Sequence, residues 1–194
     1  MKRRIILIEP LVLYEVQISE VVVRFDGGFE IELSEVVSNG RASYLLFKDV
    51  LIAITNLTAG SEGAGSDFRL RVATSDSGVE AKSYPDPDLY PRDCNVHVAP
   101  SSTFGPNNNG PIVKAFLKNG EYDEALRLCR RIGYDKSDYY LLTNTQGFNT
   151  SIPFRFVLIP TEDILMALSP SDPRIVSRDA LLGLVQDTQT IVFS

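Results

Sequence analysis

Residues 68–84 constrain the fold more than any other part of the chain, because they predict two strands that pair around a turn. In FRLRV, apolar residues alternate with Arg69 and Arg71, which is the period-two pattern of a strand with one buried face. The sequence SDSG that follows is typical of a turn. VEAKSY then resumes as a second strand, in which Glu80 and Lys82 share one face. We therefore expect a half-buried hairpin.

The segments before this hairpin, together with those after it, predict an α/β (α+β) fold with a central mixed sheet flanked by helices. Residues 1–40 contain four β-branched segments, two of them separated by DGG, and predict an N-terminal β-meander. Residues 42–57 have apolar residues near helical spacing. They predict a mostly buried helix, which the glycine-rich TAGSEGAG ends.

The second half of the chain contains both predicted helices and predicted strands. In chain order we predict a short strand at NVHVA, helices at IVKAFLKNG and EYDEALRLCRRIG, strands at DYYLLTNT and PFRFVLIPT, a short helix at TEDILMALS that Thr161 caps, and a helix at PRIVSRDALLGLVQ with a loose tail. We expect one domain over residues 1–194, with a β-rich extension at 1–40, a core at 42–160 and C-terminal helices and a tail at 161–194.

Composition and charge narrow the class of protein. The chain has 194 residues, a net charge of −6 and two cysteines, which argues against a disulfide framework and against a broad basic surface that coats nucleic acid. The apolar run near the N-terminus is broken by Glu9, Pro10 and Glu15, and no segment reaches the length of a membrane span. We expect a cytoplasmic protein with no membrane partner.

Two carboxylates and a lysine come together on the predicted hairpin. Asp67 opens the first strand after the glycine run GAG, and Glu80 and Lys82 lie on the second. Hydrolysis of a phosphodiester needs a hard divalent cation held by carboxylates, and a group that orients or deprotonates a water beside it. An acid-x-Lys tripeptide alone is uninformative, since about one is expected by chance in a chain with six lysines and 25 acids. An ordinary surface hairpin with a side-by-side Glu–Lys pair is therefore the competing interpretation.

The pattern G-x-D-strand-turn-G-x-E-x-K-S resembles the core of the PD-(D/E)xK nucleases, type II restriction endonucleases in particular. The matching residues are Asp67, Glu80, Lys82 and the following Ser83, and the resemblance covers residues 42–160. It implies a helix, the catalytic hairpin, further helices and two more strands. It also implies a Mg²⁺-dependent DNA endonuclease in which Asp67, Glu80 and Lys82 are catalytic and the two acids hold the metal.

The family often adds a third acid from the helix before the hairpin. The candidates here are Asp49 on the predicted helix and Glu35 and Glu62 at its approaches, and we favour Asp49. The family's proline before the first acid is absent, because Ser66 stands at that position.

Two groups of residues are candidates for contacting DNA. The loop SSTFGPNNNG is rich in side chains that donate hydrogen bonds to phosphates and read adenine edges. Three arginines within five positions form one basic edge near a helix C-terminus. The candidates are Ser101, Ser102, Thr103, Asn107, Asn108, Arg127, Arg130 and Arg131. A solvated loop and a solvated helix face are the competing interpretations.

A single set of catalytic residues cuts one strand, so cleavage of double-stranded DNA calls for a second site. We expect a two-fold homodimer, or a heterodimer in which this chain is the small cleavage subunit and a larger partner recognises the DNA. The alternative function is a non-catalytic protein-interaction module, or a subunit of a complex, with the same mixed α/β fold.

Overall fold

The computed structural model describes residues 5–18, 22–24, 30–32, 48–60, 66–72, 75–84, 96–97, 109–131, 137–144, 153–167, 175–176 and 178–193. The strands in these ranges are β1 (Val12–Ile18), β2 (Val22–Arg24), β3 (Glu30–Glu32), β4 (Leu57–Ala59), β5 (Phe68–Val72), β6 (Ser75–Tyr84), β7 (Val96–His97), β8 (Tyr139–Asn144), β9 (Phe154–Pro160), β10 (Ile175–Val176) and β11 (Asp187–Phe193). The helices are α1 (48–54), α2 (Gly110–Lys118), α3 (Tyr122–Arg131), α4 (Thr161–Met166) and α5 (Arg178–Leu184).

Seven strands form one mixed sheet in the order β11-β1-β9-β8-β6-β5-β4. β1 runs parallel to β11, and β6 runs parallel to β8. The remaining neighbours in the sheet are antiparallel. The pairs β2–β3 and β7–β10 lie outside this sheet.

Helices cover both faces of the sheet. On one face, called here the α2–α4 face, buried residues of three helices pack on β8 and β9; the members are Val113, Leu117, Ala125, Leu128, Tyr140, Leu142, Val157, Ile159 and Ile164. On the other, the α1 face, Leu51 of α1 packs with hairpin residues Phe68, Leu70 and Val79. The predicted mixed α/β fold, a central mixed sheet flanked by helices, is therefore confirmed.

The central position of β8 and β9 in the sheet explains why their sequences are so apolar. β8 and β9 are covered by buried side chains on both faces, so consecutive residues are buried and the usual alternation disappears. In β9 every residue from Phe156 to Ile159 is fully buried. The hairpin strand β5 keeps the alternation, because Phe68 and Leu70 are buried while Arg69 between them is only half-buried.

Two predicted boundaries were wrong in the region of the hairpin. The helix expected over residues 42–57 ends at residue 54, and its residues 42–47 lie outside the described part of the chain. Leu57 instead begins β4, because it pairs with Leu70 of the hairpin and is buried there. The segment SDSG is part of β6, since Val72 pairs with Ser75 and the chain reverses between them.

The two ends of the chain meet in the sheet. β1 was expected in a separate meander, but it lies between β9 and β11 in the central sheet. Of the segment IILIE, Ile6 makes only an isolated bridge, to Thr55. The expected loose tail is wrong, because β11 pairs with β1 along its whole length. Among the described helices, none is long and apolar enough to cross a membrane.

Candidate functional site

The register of the hairpin brings Asp67 beside Glu80. The pairing of β5 with β6 joins Phe68 to Val79. Asp67 precedes that pair by one residue and Glu80 follows it by one, so the two acids are cross-strand neighbours. Directly opposite residues of an antiparallel pair share a face of the sheet.

A hydrogen bond fixes the Asp67 carboxylate against β6. Its Oδ2 atom accepts from the backbone N–H of Ala81 at 2.9 Å. Ala81 is the residue between Glu80 and Lys82. The Asp67 carboxylate therefore contacts the backbone of β6 between these two residues. Asp67 is half-buried.

Glu80 and Lys82 form an ion pair on the α2–α4 face. The Nζ atom of Lys82 donates to Oε1 of Glu80 at 2.7 Å. The side chain of Lys82 is 25% exposed and that of Glu80 is 31% exposed. They alternate with Val79, which is fully buried on the α1 face. Their neighbours on β8 are Tyr140 and Leu142, both buried. The pair therefore lies where the hairpin meets the helix-covered part of the sheet.

Ser66 sets the position from which Asp67 enters the strand. Its hydroxyl is buried and lies 2.8 Å from that of Ser137. A Cβ atom at Gly78 would collide with this hydroxyl, and one at Gly60 would collide with the Ser66 carbonyl oxygen. The N–H of Gly60 also donates to the carbonyl of Asp67 at 3.0 Å. Ser66 thus makes a side-chain contact that a proline at this position would have no group to make.

Asp138 ties the start of β8 to β6. Its Oδ2 accepts from the N–H of Gly78 at 2.8 Å, and its own N–H donates to the Gly78 carbonyl at 2.9 Å. The Asp138 carbonyl accepts from Thr161 at the start of α4, at 3.0 Å. The Thr161 hydroxyl donates to the carbonyl of Ser137 at 2.6 Å. The sequence did not identify Asp138 as a partner of Gly78, since no local pattern links positions 60 residues apart.

Asp49, the favoured third acid, does not lie on the hairpin face that carries Asp67 and Glu80. It is exposed on α1, the helix that packs on the opposite face of the sheet. Its neighbour Lys48 lies 5.9 Å from the centre of the Phe68 ring. Within the described ranges, no group of three or more His, Cys, Asp or Glu side chains could hold a metal, so Asp49 does not complete a three-acid group. Glu35 and Glu62 lie outside the described residues.

The predicted DNA-contacting residues fall into two groups. Ser101, Ser102, Thr103, Asn107 and Asn108 lie outside the described residues. The three arginines are on α3, as expected. The side chain of Arg130 is not among those described.

Two of these arginines line a groove between α2 and α3. The groove has a volume of about 450 Å³ and is lined by Ile112, Phe116, Glu124, Arg127, Leu128 and Arg131. Arg127 is exposed and paired with Glu124 at 2.6 Å, whereas Arg131 is exposed at the helix end. The apolar floor of the groove, formed by Ile112, Phe116 and Leu128, distinguishes this surface from a simple basic edge. Ile112 in this floor is 47% exposed.

The donor set of the hairpin suits one kind of metal chemistry. Carboxylate oxygens are hard ligands. Mg²⁺ prefers such ligands, whereas softer metals prefer softer donor atoms. Asp67 and Glu80 provide such oxygens at adjacent positions, and Lys82 provides an ammonium group beside them. These residues fit Mg²⁺-assisted hydrolysis with two protein carboxylates. Comparison with family models, curated proteins and solved structures finds no match for this chain.

Proposed function

We propose that this chain is a Mg²⁺-dependent endonuclease of double-stranded DNA that resembles the PD-(D/E)xK nucleases, type II restriction endonucleases in particular. One observation carries the proposal: the Asp67 carboxylate is hydrogen-bonded to the N–H of Ala81, between Glu80 and Lys82. The order of the elements also supports it. Along the chain, α1 and β4 precede the hairpin, and β7, α2, α3, β8 and β9 follow it; all of these strands except the short β7 belong to the same sheet.

Each residue of the hairpin has a separate role in the proposed reaction. Asp67 and Glu80 would hold the Mg²⁺. The metal supplies charge stabilisation at the phosphate and activation of water. Lys82 would orient the attacking water as an ammonium group, or accept a proton from it as the deprotonated amine. The hydrogen bond to Ala81 and the contacts of Ser66 keep Asp67 in place.

The test is incubation with plasmid and phage DNA in Mg²⁺, read on a gel for nicked, linear or discrete products. We expect cleavage by the wild type, and none by Asp67→Asn, Glu80→Gln or Lys82→Ala. Circular dichroism must show that each variant is folded. Failure of the folded wild type to cut any DNA with Mg²⁺ or Mn²⁺, alone or with a partner chain, would overturn the proposal.

The proposed enzyme works as a homodimer, or as the cleavage subunit of a heterodimer, because each chain has one set of hairpin residues. Light scattering and a nicking assay test this. A dimer that linearises plasmid supports the homodimer. A chain that is inert alone but active with a larger partner supports the heterodimer. A monomer that cuts both strands at one site, at a rate linear in protein concentration, contradicts both.

We assign recognition of DNA to the segment 101–108, which lies outside the described residues, and to Arg127, Arg130 and Arg131. Serine, threonine and asparagine side chains bond to phosphates and base edges, and arginines pair with phosphates. A protein with this activity works in the cytoplasm, where the DNA of an invading element is accessible. Substitution of the loop should alter site preference, whereas substitution of the arginines should weaken binding to all sequences.

The groove between α2 and α3 favours a second candidate function, a protein-interaction module. Its floor of Ile112, Phe116 and Leu128 offers apolar surface, and an exposed apolar patch is a common mark of a binding site. In that alternative the Glu80–Lys82 pair is an ordinary same-face ion pair of a surface hairpin. The cleavage assay discriminates between the two functions.

A further inference from the structure

Arg69 lies on the same face of the hairpin as the proposed catalytic residues. It pairs with Gly78 across β5 and β6, and residues of β6 alternate, so Gly78 and Glu80 share a face. The residues on either side of Arg69, Phe68 and Leu70, are buried on the α1 face. Arg69 therefore follows Asp67 along one face of the strand at about 6.6 Å in backbone rise.

The residues directly opposite Arg69 supply no negative charge. Its cross-strand partners are Gly78 on β6 and Thr58 on β4, both neutral. The Thr58 hydroxyl donates to the backbone carbonyl of Arg69 at 3.4 Å and leaves the guanidinium untouched. Arg69 is half-buried, and within the described part of the chain no carboxylate lies within ion-pair distance of it.

The other cations of the hairpin face already have partners. Arg71 pairs with Asp76 at 3.2 Å, and both side chains are more than half exposed. Lys82 pairs with Glu80. A half-buried guanidinium loses part of its hydration, and its five N–H groups require acceptors. Arg69 is thus the cation of this face for which the described residues supply no carboxylate partner, so an added anion would provide acceptors for its N–H groups.

We propose that Arg69 binds a phosphate group, which in the proposed nuclease is a phosphate of the DNA strand held against the hairpin. The guanidinium fork matches the geometry of phosphate oxygens and forms two parallel hydrogen bonds with them. The identification of that phosphate with DNA rests on the proposed function, whereas anion binding by Arg69 rests on its surroundings alone. Arg69 is a substrate-binding residue in this assignment, and it carries no proton in the reaction.

Inorganic phosphate tests the anion site without reference to cleavage. The thermal unfolding midpoint is measured in EDTA with phosphate and, at the same ionic strength, with chloride. Phosphate should raise the midpoint of the wild type and of Arg71→Gln above the value in chloride. The same titration should leave Arg69→Gln unshifted, and Arg69→Lys should regain part of the shift. Equal shifts in all four proteins, or none in the wild type, would overturn the assignment.

Binding of duplex DNA tests the connection to the nuclease. In Ca²⁺, Arg69→Gln should bind a fluorescent duplex about tenfold more weakly, with the slope of log K against log salt smaller by about one. Arg71→Gln, on the same strand and face, should change affinity by less than about twofold. If the wild type cuts DNA and Arg69→Gln binds like Arg71→Gln, the DNA assignment of Arg69 fails and the nuclease stands. If the wild type neither binds nor cuts DNA, the nuclease fails and the phosphate titration alone decides Arg69.

Discussion

The Oδ2 atom of Asp67 lies 2.9 Å from the backbone nitrogen of Ala81, from which it accepts a hydrogen bond. A carboxylate at the start of one strand thereby reaches the backbone of the next, between two side chains of opposite charge. The contact couples the position of Asp67 to β6, so it holds the acid beside Glu80 and Lys82. It also gives Asp67 a structural role that must be separated from its proposed chemical role.

Asp67→Asn separates these roles, because an amide oxygen can accept the same hydrogen bond but carries no charge. We expect the free energy of unfolding of Asp67→Asn to lie within about 0.5 kcal/mol of the wild-type value. We also expect this variant to show no measurable cleavage. Asp67→Ala should also fold and also be inactive, but it should lose about 1 kcal/mol more stability. Urea unfolding and plasmid cleavage measure the two effects. An active Asp67→Asn would contradict the proposed role of Asp67 as a metal ligand.

The three hairpin residues could be predicted because their spacing is local. Period-two alternation placed Glu80 and Lys82 on one face, and the acid at the head of the first strand followed from the strand boundary. The surroundings could not be predicted in this way. Ser66 meets Ser137 from 71 residues away, and the face on which α1, the helix of Asp49, packs also depends on contacts between residues far apart in the sequence.

Lys82 is expected to act through its ability to exchange a proton. Arginine can maintain the ion pair with Glu80 but is not deprotonated in proteins. Both Lys82→Arg and Lys82→Ala should therefore cut at least about 100-fold more slowly than the wild type, while folding normally. Arg71→Ala is the matched control, since it breaks an exposed ion pair of the same hairpin. Cleavage by Lys82→Arg at more than about half the wild-type rate would show that charge alone suffices.

Gly78 is expected to tolerate no side chain. A Cβ atom there meets the Oγ atom of Ser66, so Gly78→Ala should destabilise the fold by about 1–3 kcal/mol. Ser66→Ala removes that oxygen, and the double variant should lose less stability than the two single losses added together. Gly183→Ala is the control, because nothing lies within 4 Å of its added Cβ atom in helix α5.

Chemical unfolding of these four variants measures the differences. Gly183→Ala should stabilise the protein by about 0.5–1 kcal/mol, since alanine has the higher helix propensity. Strict additivity of Gly78→Ala and Ser66→Ala would mean that the collision with Ser66 is not the cause of the loss.

The core strands could be predicted, but their order in the sheet could not. β8 and β9 are short apolar runs of the length and composition of buried strands, and both were predicted at nearly their observed bounds. The C-terminal TQTIVF is also β-branched, yet it follows a helix and shows no turn partner nearby. Its partner is β1, and the contact between Glu15 and Thr190 spans 175 residues. Pairings at such separation leave no local pattern in the sequence.

Tyr14 of β1 combines burial with two hydrogen bonds. Its hydroxyl accepts from the N–H of Glu9 at 2.9 Å and donates to the Leu7 carbonyl at 3.1 Å, and its ring stacks on Phe156 at 5.1 Å. Burial raises the pKa of Tyr14 above its ordinary value of 10.0, although the hydrogen bond from Glu9 lowers it. Nearby negative charge on Glu9 and Asp187 raises it further.

The raised pKa of Tyr14 makes stability depend on pH in the alkaline range. The folded protein keeps the phenol proton at a pH where the unfolded chain has begun to lose it, so the contribution is present below about pH 10 and is lost as the pH rises through the folded pKa. Tyr14→Phe should cost about 1–2 kcal/mol at pH 8, from the two lost hydrogen bonds, and the difference should shrink by pH 11. Urea unfolding at both pH values measures this, with Tyr122→Phe, an exposed tyrosine, as the control. A difference that stays constant to pH 11 would contradict the assignment of this pH dependence to Tyr14.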